Sequence, residues 1–210
     1  MAKVARWPLV QNRVTTVDLE RPIDLEYVAT CLSAQYNPKR FAAITLRTHI
    51  PHVTALLFGS GKIVCTGAKC VNGAVVAAHH FVDRLRALGY NARIMKVRTQ
   101  NIVANAAFIN NLDLDKLKRL TGCASSFESD LFPGLVYRPA HTRVVFLVFK
   151  TGEVVITGAH NEEEVSSCFV QLGVMLEALG IEVPKPPALP EAAGAGEPGG
   201  RKKGSQLGSH

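Results

Sequence analysis

Asn12, Val14 and Thr16 form one alternating set of residues, Leu56, Phe58 and Ser60 a second, and Lys62, Val64 and Thr66 a third. Far downstream the same mixture returns in Asn101 and Val103, in Leu147, Phe149 and Thr151, and in Val155 and Thr157. Both copies combine an apolar floor with amides, hydroxyls and nearby basic groups. Catalysis needs other parts. The chain offers no phosphate loop and no nucleophile with its base and orienting group, and these residues include no carboxylate cluster, so no enzyme and no cofactor are expected. The nearest approach to a metal site is Cys65, Cys70, His79 and His80. Their spacing matches no common zinc site, and Cys65 alternates into the core. The mixture does suit the minor groove of a duplex. Acceptors on A·T base edges can be met by Asn and Thr, sugars by Val and Leu, and phosphates by Lys and Arg.

These residues lie on predicted strands that are apolar on both faces. Ala55-Leu56-Leu57-Phe58, Ile63-Val64-Cys65-Thr66 and the run 144–149 all lack a polar set. One face packs on helices, and an open antiparallel sheet covered on one side should be polar on the other. For a single strand, burial inside a sandwich or parallel sheet is the ordinary explanation. Two copies with the same polar exceptions point instead to a partner over the second face. The copies are a true repeat. ALLFGSGKIVCTGAK (55–69) returns as FLVFKTGEVVITGAH (146–160), and Phe41, Arg47 and Phe58 recur as Phe132, Arg138 and Phe149, always 91 residues on. A long period occurring twice means a duplicated domain, not a solenoid.

Each unit reads as a strand, a short helix, three strands at hairpin spacing and a long helix. The first covers 9–19, 24–33, 41–48, 53–58, 62–66 and 71–88; the second covers 100–108, 113–120, 134–138, 144–149, 153–157 and 162–179. Val75, Ala78, Val82 and Leu85 stripe the first long helix, Gly89 stops it, and Asn161 is the expected N-cap of the second. The organisation is therefore an arm (1–8), a first repeat (9–99), a second repeat (100–183) and a Pro/Gly-rich tail (184–210) too poor in large apolar residues to fold.

The chain has 210 residues and a net charge of +7. Residues 9–99 carry twelve basic against five acidic residues, and 100–183 carry six against ten. One half suits a polyanion; the other also offers an acidic surface to a protein, although solvated surface charge is the plainer reading of either. Five cysteines, odd in number and without a C-x-x-C pair, argue for a reducing compartment. No stretch has a signal-like or membrane-spanning apolar run, so a soluble protein that stays inside the cell is expected.

YNPKRFAA (36–43), SGKIVCTGAK (60–69), QNIV (100–103) and SDLFPGLVYR (129–138) resemble the core domain of the TATA-binding protein family. The resemblance runs from about Leu9 to Leu179 with both repeats in register. It implies an α+β fold in which two tandem pseudo-symmetric repeats form one curved antiparallel sheet, a saddle with helices on its convex face. It implies that Phe41 with Phe58, and Phe132 with Phe149, are wedges inserted between base steps, a mode for which this family is itself a standard example. By the same matching, Asn12, Val14, Thr16, Leu56, Val64, Thr66, Asn101, Val103, Leu147, Val155 and Thr157 face bases and groove. Arg47, Ser60, Lys62, Arg138 and Thr151 meet the backbone, and specificity comes mostly from how readily T·A-rich DNA deforms.

The implied partners are double-stranded TATA-like DNA, a transcription factor IIB-like protein docked at Glu128, Asp130 and Leu131, a transcription factor IIA-like protein and the RNA polymerase machinery. No membrane is involved. The implied place is the nucleus, or the transcription compartment of a virus. Some positions depart from the family pattern. Glu153 stands where lysine is usual and should weaken the grip of the second half. Arg13 replaces an aliphatic residue near the expected wet end of its strand. His160 replaces a lysine, and His79-His80 replace a basic pair that helps to bind regulators. A diverged scaffold with weak or altered DNA specificity is the alternative that Glu153 and the acidic second repeat favour.

Overall fold

The computed structural model describes residues 5–109 and 111–184. The first four residues of the expected arm, and the expected tail beyond Pro184, lie outside the described residues. In chain order the elements are β1 (Arg6–Asp18), α1 (Leu25–Cys31), β2 (Ala43–Thr48), β3 (Val53–Phe58), β4 (Lys62–Ala68), α2 (Val71–Ala87), β5 (Lys96–Ala107), α3 (Leu114–Thr121), β6 (Ser125–Ser126), β7 (Gly134–Tyr137), β8 (Val145–Phe149), β9 (Glu153–Ala159) and α4 (Glu162–Glu177). Most bounds differ from the pattern-based reading by a few residues; β2, for one, begins at Ala43 and leaves Phe41 in the loop before it. β1 begins at Arg6, so the arm's last three residues are strand. β5 begins at Lys96, so the repeat boundary drawn after residue 99 falls inside a strand. β6 is only two residues long, too short for any alternation to reveal.

All nine strands join one antiparallel sheet in the order β2-β3-β4-β1-β5-β9-β8-β7-β6. The halves meet where β1 pairs with β5, from Arg6 opposite Ala107 to Asp18 opposite Lys96. Three register irregularities interrupt that seam, and each such bulge bends and twists a strand. The sheet is the saddle expected from the sequence, and the four helices lie on its convex side.

The helices cover that side because each presents an apolar stripe to it. In α2 the buried residues are Ala74, Ala77, Ala78, Phe81, Val82 and Leu85, while Val75 from the predicted stripe is only half-buried. In α4 they are Val165, Cys168, Phe169, Leu172, Gly173 and Leu176. Asn161 caps α4 as expected, its side chain accepting from the Glu164 N–H at 2.7 Å. The three glutamates that follow favour the positive end of the helix dipole. Gly89, at φ +90°, ends α2, and Tyr90 N–H donates to the Leu85 carbonyl. Gly180, at φ +77°, closes α4 with the same bond from Ile181 to Leu176.

Each repeat builds its own core, one around Phe81, Leu57 and Ile63, the other around Phe146, Phe169 and Ile156. The division is not clean along the chain. Trp7 and Val10 of β1 pack on the second core, Trp7 meeting Phe169 edge-on at 5.5 Å.

Candidate nucleic-acid interface

Alternation divides each strand between two environments. In β3, Val53, Ala55 and Leu57 are buried under the helices, while Thr54, Leu56 and Phe58 on the opposite face stay partly open. β4 buries Ile63 and Cys65 and leaves Val64 and Thr66 half-exposed. β8 and β9 repeat this, burying Phe146, Val148, Val154 and Ile156 and opening Leu147, Phe149, Val155 and Thr157. Asn12, Val14 and Thr16 of β1, and Asn101 and Val103 of β5, lie on the open side. The second apolar face therefore exists, and none of the described helices buries it.

Register orders this face into rows. Arg47 lies opposite Thr54, and Thr54 opposite Thr66. Next to that polar row, Thr45, Leu56, Val64 and Thr16 follow one another across four strands. In the second half, Val136, Leu147, Val155 and Asn105 form the matching row. At the seam, Asn12 faces Val103 and Val14 faces Asn101, so the two amides are related by the pseudo-dyad.

Both amides are held in one orientation. Asn12 Oδ1 accepts from the Gly67 N–H at 2.8 Å, and Asn12 Nδ2 reaches Thr66 Oγ1 at 3.2 Å. Asn101 copies this with Gly158 at 2.8 Å and Thr157 at 3.3 Å. With the oxygen occupied by a main-chain donor and one N–H spent on the threonine, each amide has its second N–H left to donate. Glycine is required beneath each. Gly67 and Gly158 have φ of +106° and +95°, and a Cβ on Gly158 would fall 2.3 Å from the Arg143 carbonyl oxygen.

The four phenylalanines form two pairs at opposite ends of the sheet, each joining an exposed ring (Phe41, Phe132) to a partly buried one (Phe58, Phe149). Ring centroids are 6.2 Å apart for Phe41 and Phe58, and 5.8 Å for Phe132 and Phe149. Phe41 is 48% exposed and Phe132 37%. A small residue underlies each pair: Ala43 lies opposite Phe58, and Gly134 opposite Phe149. A Cβ on Gly134 would come within 2.7 Å of the Phe132 ring.

The loops that carry Phe41 and Phe132 share one backbone plan. Phe41 N–H donates to the Asn37 carbonyl, and Phe132 N–H to the Glu128 carbonyl, both at 2.9 Å. Their side chains differ in charge, Lys39 and Arg40 in the first and Glu128 and Asp130 in the second. Leu131 projects from the acidic loop, 81% exposed. Arg47, Ser60, Lys62, Arg138 and Thr151 are all exposed at the rim.

Sequence reasoning missed Thr45, Thr54, Val136, Val145 and Asn105, which share the open face. Stepping two residues back from Leu56 finds Thr54, and Asn105 is the repeat equivalent of Thr16. Arg13 requires a correction. It is not at a wet strand end but is 2% exposed, facing the helices. Its guanidinium donates to Glu162 on α4 and, at 3.3 Å, to Thr99 Oγ1. His160 is also engaged: Arg143 Nη1 lies 2.9 Å from Nε2, and the Thr99 carbonyl 3.2 Å from Nδ1. An arginine can only donate, so Nε2 accepts and Nδ1 carries the proton. Burial pushes the Cys65 thiol up to about 11. Cys70 instead caps α2, its sulfur accepting from the Gly73 N–H at 3.4 Å. Among the described residues, no group of three or more His, Cys, Asp or Glu could hold a metal ion.

A family model described as "Transcription factor TFIID (or TATA-binding protein, TBP)" matches residues 8–88 and 96–179. The chain is 43% identical over 163 residues to the TATA box-binding protein-like 2 of Takifugu rubripes, covering 77% of this chain and 51% of that protein. It is 40% identical over 172 residues to the TATA-box-binding protein of Bombyx mori, covering 81% and 56%. The chain thus spans about half the length of these relatives. Among solved structures, "Methanococcus jannaschii TBP" superposes with a TM-score of 0.76 at 33% identity, covering 82% of this chain and 99% of that one.

Proposed function

This chain belongs to the TATA-binding protein family, and on that premise we propose that it is a general transcription initiation factor that binds TATA-like DNA in the minor groove. The observation that carries the reading is the open apolar face, duplicated with a fixed amide near the centre and an aromatic pair at each end. An A·T-rich minor groove displays only acceptors along its floor. Asn12 and Asn101 meet it with nitrogen donors, because Gly67 and Gly158 hold their oxygens. Val14, Val64, Val103, Val155, Leu56 and Leu147 lie against sugars and base edges, with Thr16, Thr66 and Thr157 beside them. The pairs Phe41–Phe58 and Phe132–Phe149 enter base steps, replacing lost stacking while the duplex kinks. Arg47, Ser60, Lys62, Arg138 and Thr151 contact the backbone.

Glu128, Asp130 and Leu131 then offer an acidic loop with an apolar tip to a transcription factor IIB-like partner. A transcription factor IIA-like protein and the polymerase machinery complete the assembly, and the chain works in the nucleus. Glu153 favours a second reading, a scaffold with weakened DNA specificity; the matched aromatic pairs oppose it. Binding to a TATA duplex and to a scrambled duplex, followed across a salt series, separates the two. Preference for TATA with a steep salt slope is expected. Equal and weak affinity for both duplexes would overturn the proposal.

A further inference from the structure

Glu153 opens β9 at the place where Lys62 opens β4, so a carboxylate stands where the first half offers a cation. It does not stand alone. Arg6 Nη2 donates to Glu153 Oε2 at 2.8 Å, with the two side chains 44% and 52% exposed. Strand register brings them together. Arg6 lies opposite Ala107, and Ala107 opposite Glu153, one row across β1, β5 and β9. The pseudo-symmetric row in the first half is Lys96, Asp18 and Lys62. The first-half row sets one carboxylate between two cations, and the second-half row has one carboxylate and one cation, paired across Ala107. In the second half the only cation of the row comes from the start of the other repeat's strand.

Two features make Arg6 more than a loose surface charge. Its neighbour Trp7 is anchored edge-on against Phe169 of the second core, which fixes the strand end that carries it. A guanidinium also has five N–H donors in a rigid fork, and the ion pair uses one face of that fork. The bond to Glu153 uses Nη2 alone, and the side chain is 44% exposed, so the other donors are within reach of a ligand. We propose that Arg6 is a phosphate-binding residue of the second half, positioned by Glu153 and standing in for the lysine that this repeat lacks. The proposal rests on the DNA-binding reading above and adds a residue to it. Glu153 then orients an arginine instead of merely repelling the backbone.

Removing Arg6 alone would expose the carboxylate and weaken binding for a trivial reason. The decisive variant is the double substitution Arg6→Gln/Glu153→Gln, which deletes the pair without changing net charge. Its affinity for a TATA duplex is measured from 50 to 200 mM salt, with thermal melting as a control for folding. If Arg6 holds a phosphate, the slope of log K against log salt falls by about 0.9, so the variant loses roughly threefold less affinity across that range. Glu153→Gln alone keeps Arg6 but removes the carboxylate that positions it, so its slope falls by less than that of the double variant. A double variant with unchanged slope and affinity would mean that the pair only neutralises itself. Loss of binding to a protein partner with DNA binding intact would assign the pair to a protein contact, and equally overturn the proposal. The slope can be read on a scrambled duplex too, so lack of TATA preference in the unaltered protein would sink the functional reading without obscuring this one.

Discussion

Asn12 and Asn101 show how backbone context gives a side chain its chemistry. An amide can present either end to a ligand, and here a glycine N–H takes the oxygen and leaves the nitrogen. The phenylalanine pairs are set similarly, by the small Ala43 and Gly134 beside them. Because those rings are only partly buried, their removal should cost little cohesion but much deformation of DNA. Phe58→Ala and Phe149→Ala are expected to reduce bending, read by energy transfer across a labelled duplex, far more than they reduce melting temperature. A variant that melts much lower yet bends DNA normally would show the ring to be a core residue. Cys65 lies on the other face and has no such role. Burial raises its pKa from 9.0 to about 11, so the folded state favours the neutral thiol. The unfolded chain loses that proton first, and stability should hold up to about pH 9 and then fall by about 2–3 kcal/mol toward pH 11. Urea titrations across that range should show a shallower decline for Cys65→Ala; an identical decline would exclude the thiol as its cause.

At the scale of elements, β1 is the component that serves both halves. Its C-terminal part pairs with β4 and packs in the first core, while Trp7 and Val10 near its start belong to the second. Arg13, between those parts, reaches across the seam to Glu162 at the start of α4. The pseudo-symmetric position in β5 is Ile102, fully buried and apolar. A buried guanidinium, paired with a carboxylate that is 60% exposed, thus stands on one side of the dyad where the other has a buried apolar side chain. A buried charge that loses its partner costs more than a pair replaced by apolar groups of similar volume. Glu162→Gln should therefore destabilise the protein by about 1–3 kcal/mol, and Arg13→Met combined with Glu162→Gln should recover part of that loss. Denaturant unfolding tests this directly, and a double variant less stable than Glu162→Gln alone would contradict it.

For the whole molecule, duplication supplies a symmetric saddle, and charge then makes its two ends different. The loops before Phe41 and Phe132 share their hydrogen bonds but carry Lys39 and Arg40 in one and Glu128 and Asp130 in the other. Lys62 and Glu153 repeat the contrast at the rim. Glu153→Lys releases Arg6 from its ion pair and adds a second cation at the same rim, so it should tighten DNA binding and steepen the salt slope by about one phosphate contact. An unchanged slope would remove that position from the backbone contacts. Much of this plan was legible in the residues. A constant offset of 91 disclosed the repeat, and period-two alternation assigned Leu56, Val64, Leu147 and Val155 to one face because side chains on a strand must alternate. Helix stripes showed that only the other face would be covered. What the residues could not disclose was pairing between distant segments. Arg13 with Glu162 and Arg6 with Glu153 lie 149 and 147 residues apart along the chain. Neither the charge of Arg13 nor that of Glu153 reveals its partner, because register across the β1–β5 seam, with its three bulges, decides which side chains become neighbours. Local periodicity fixes the face on which a residue lies; only the assembled sheet decides what stands beside it.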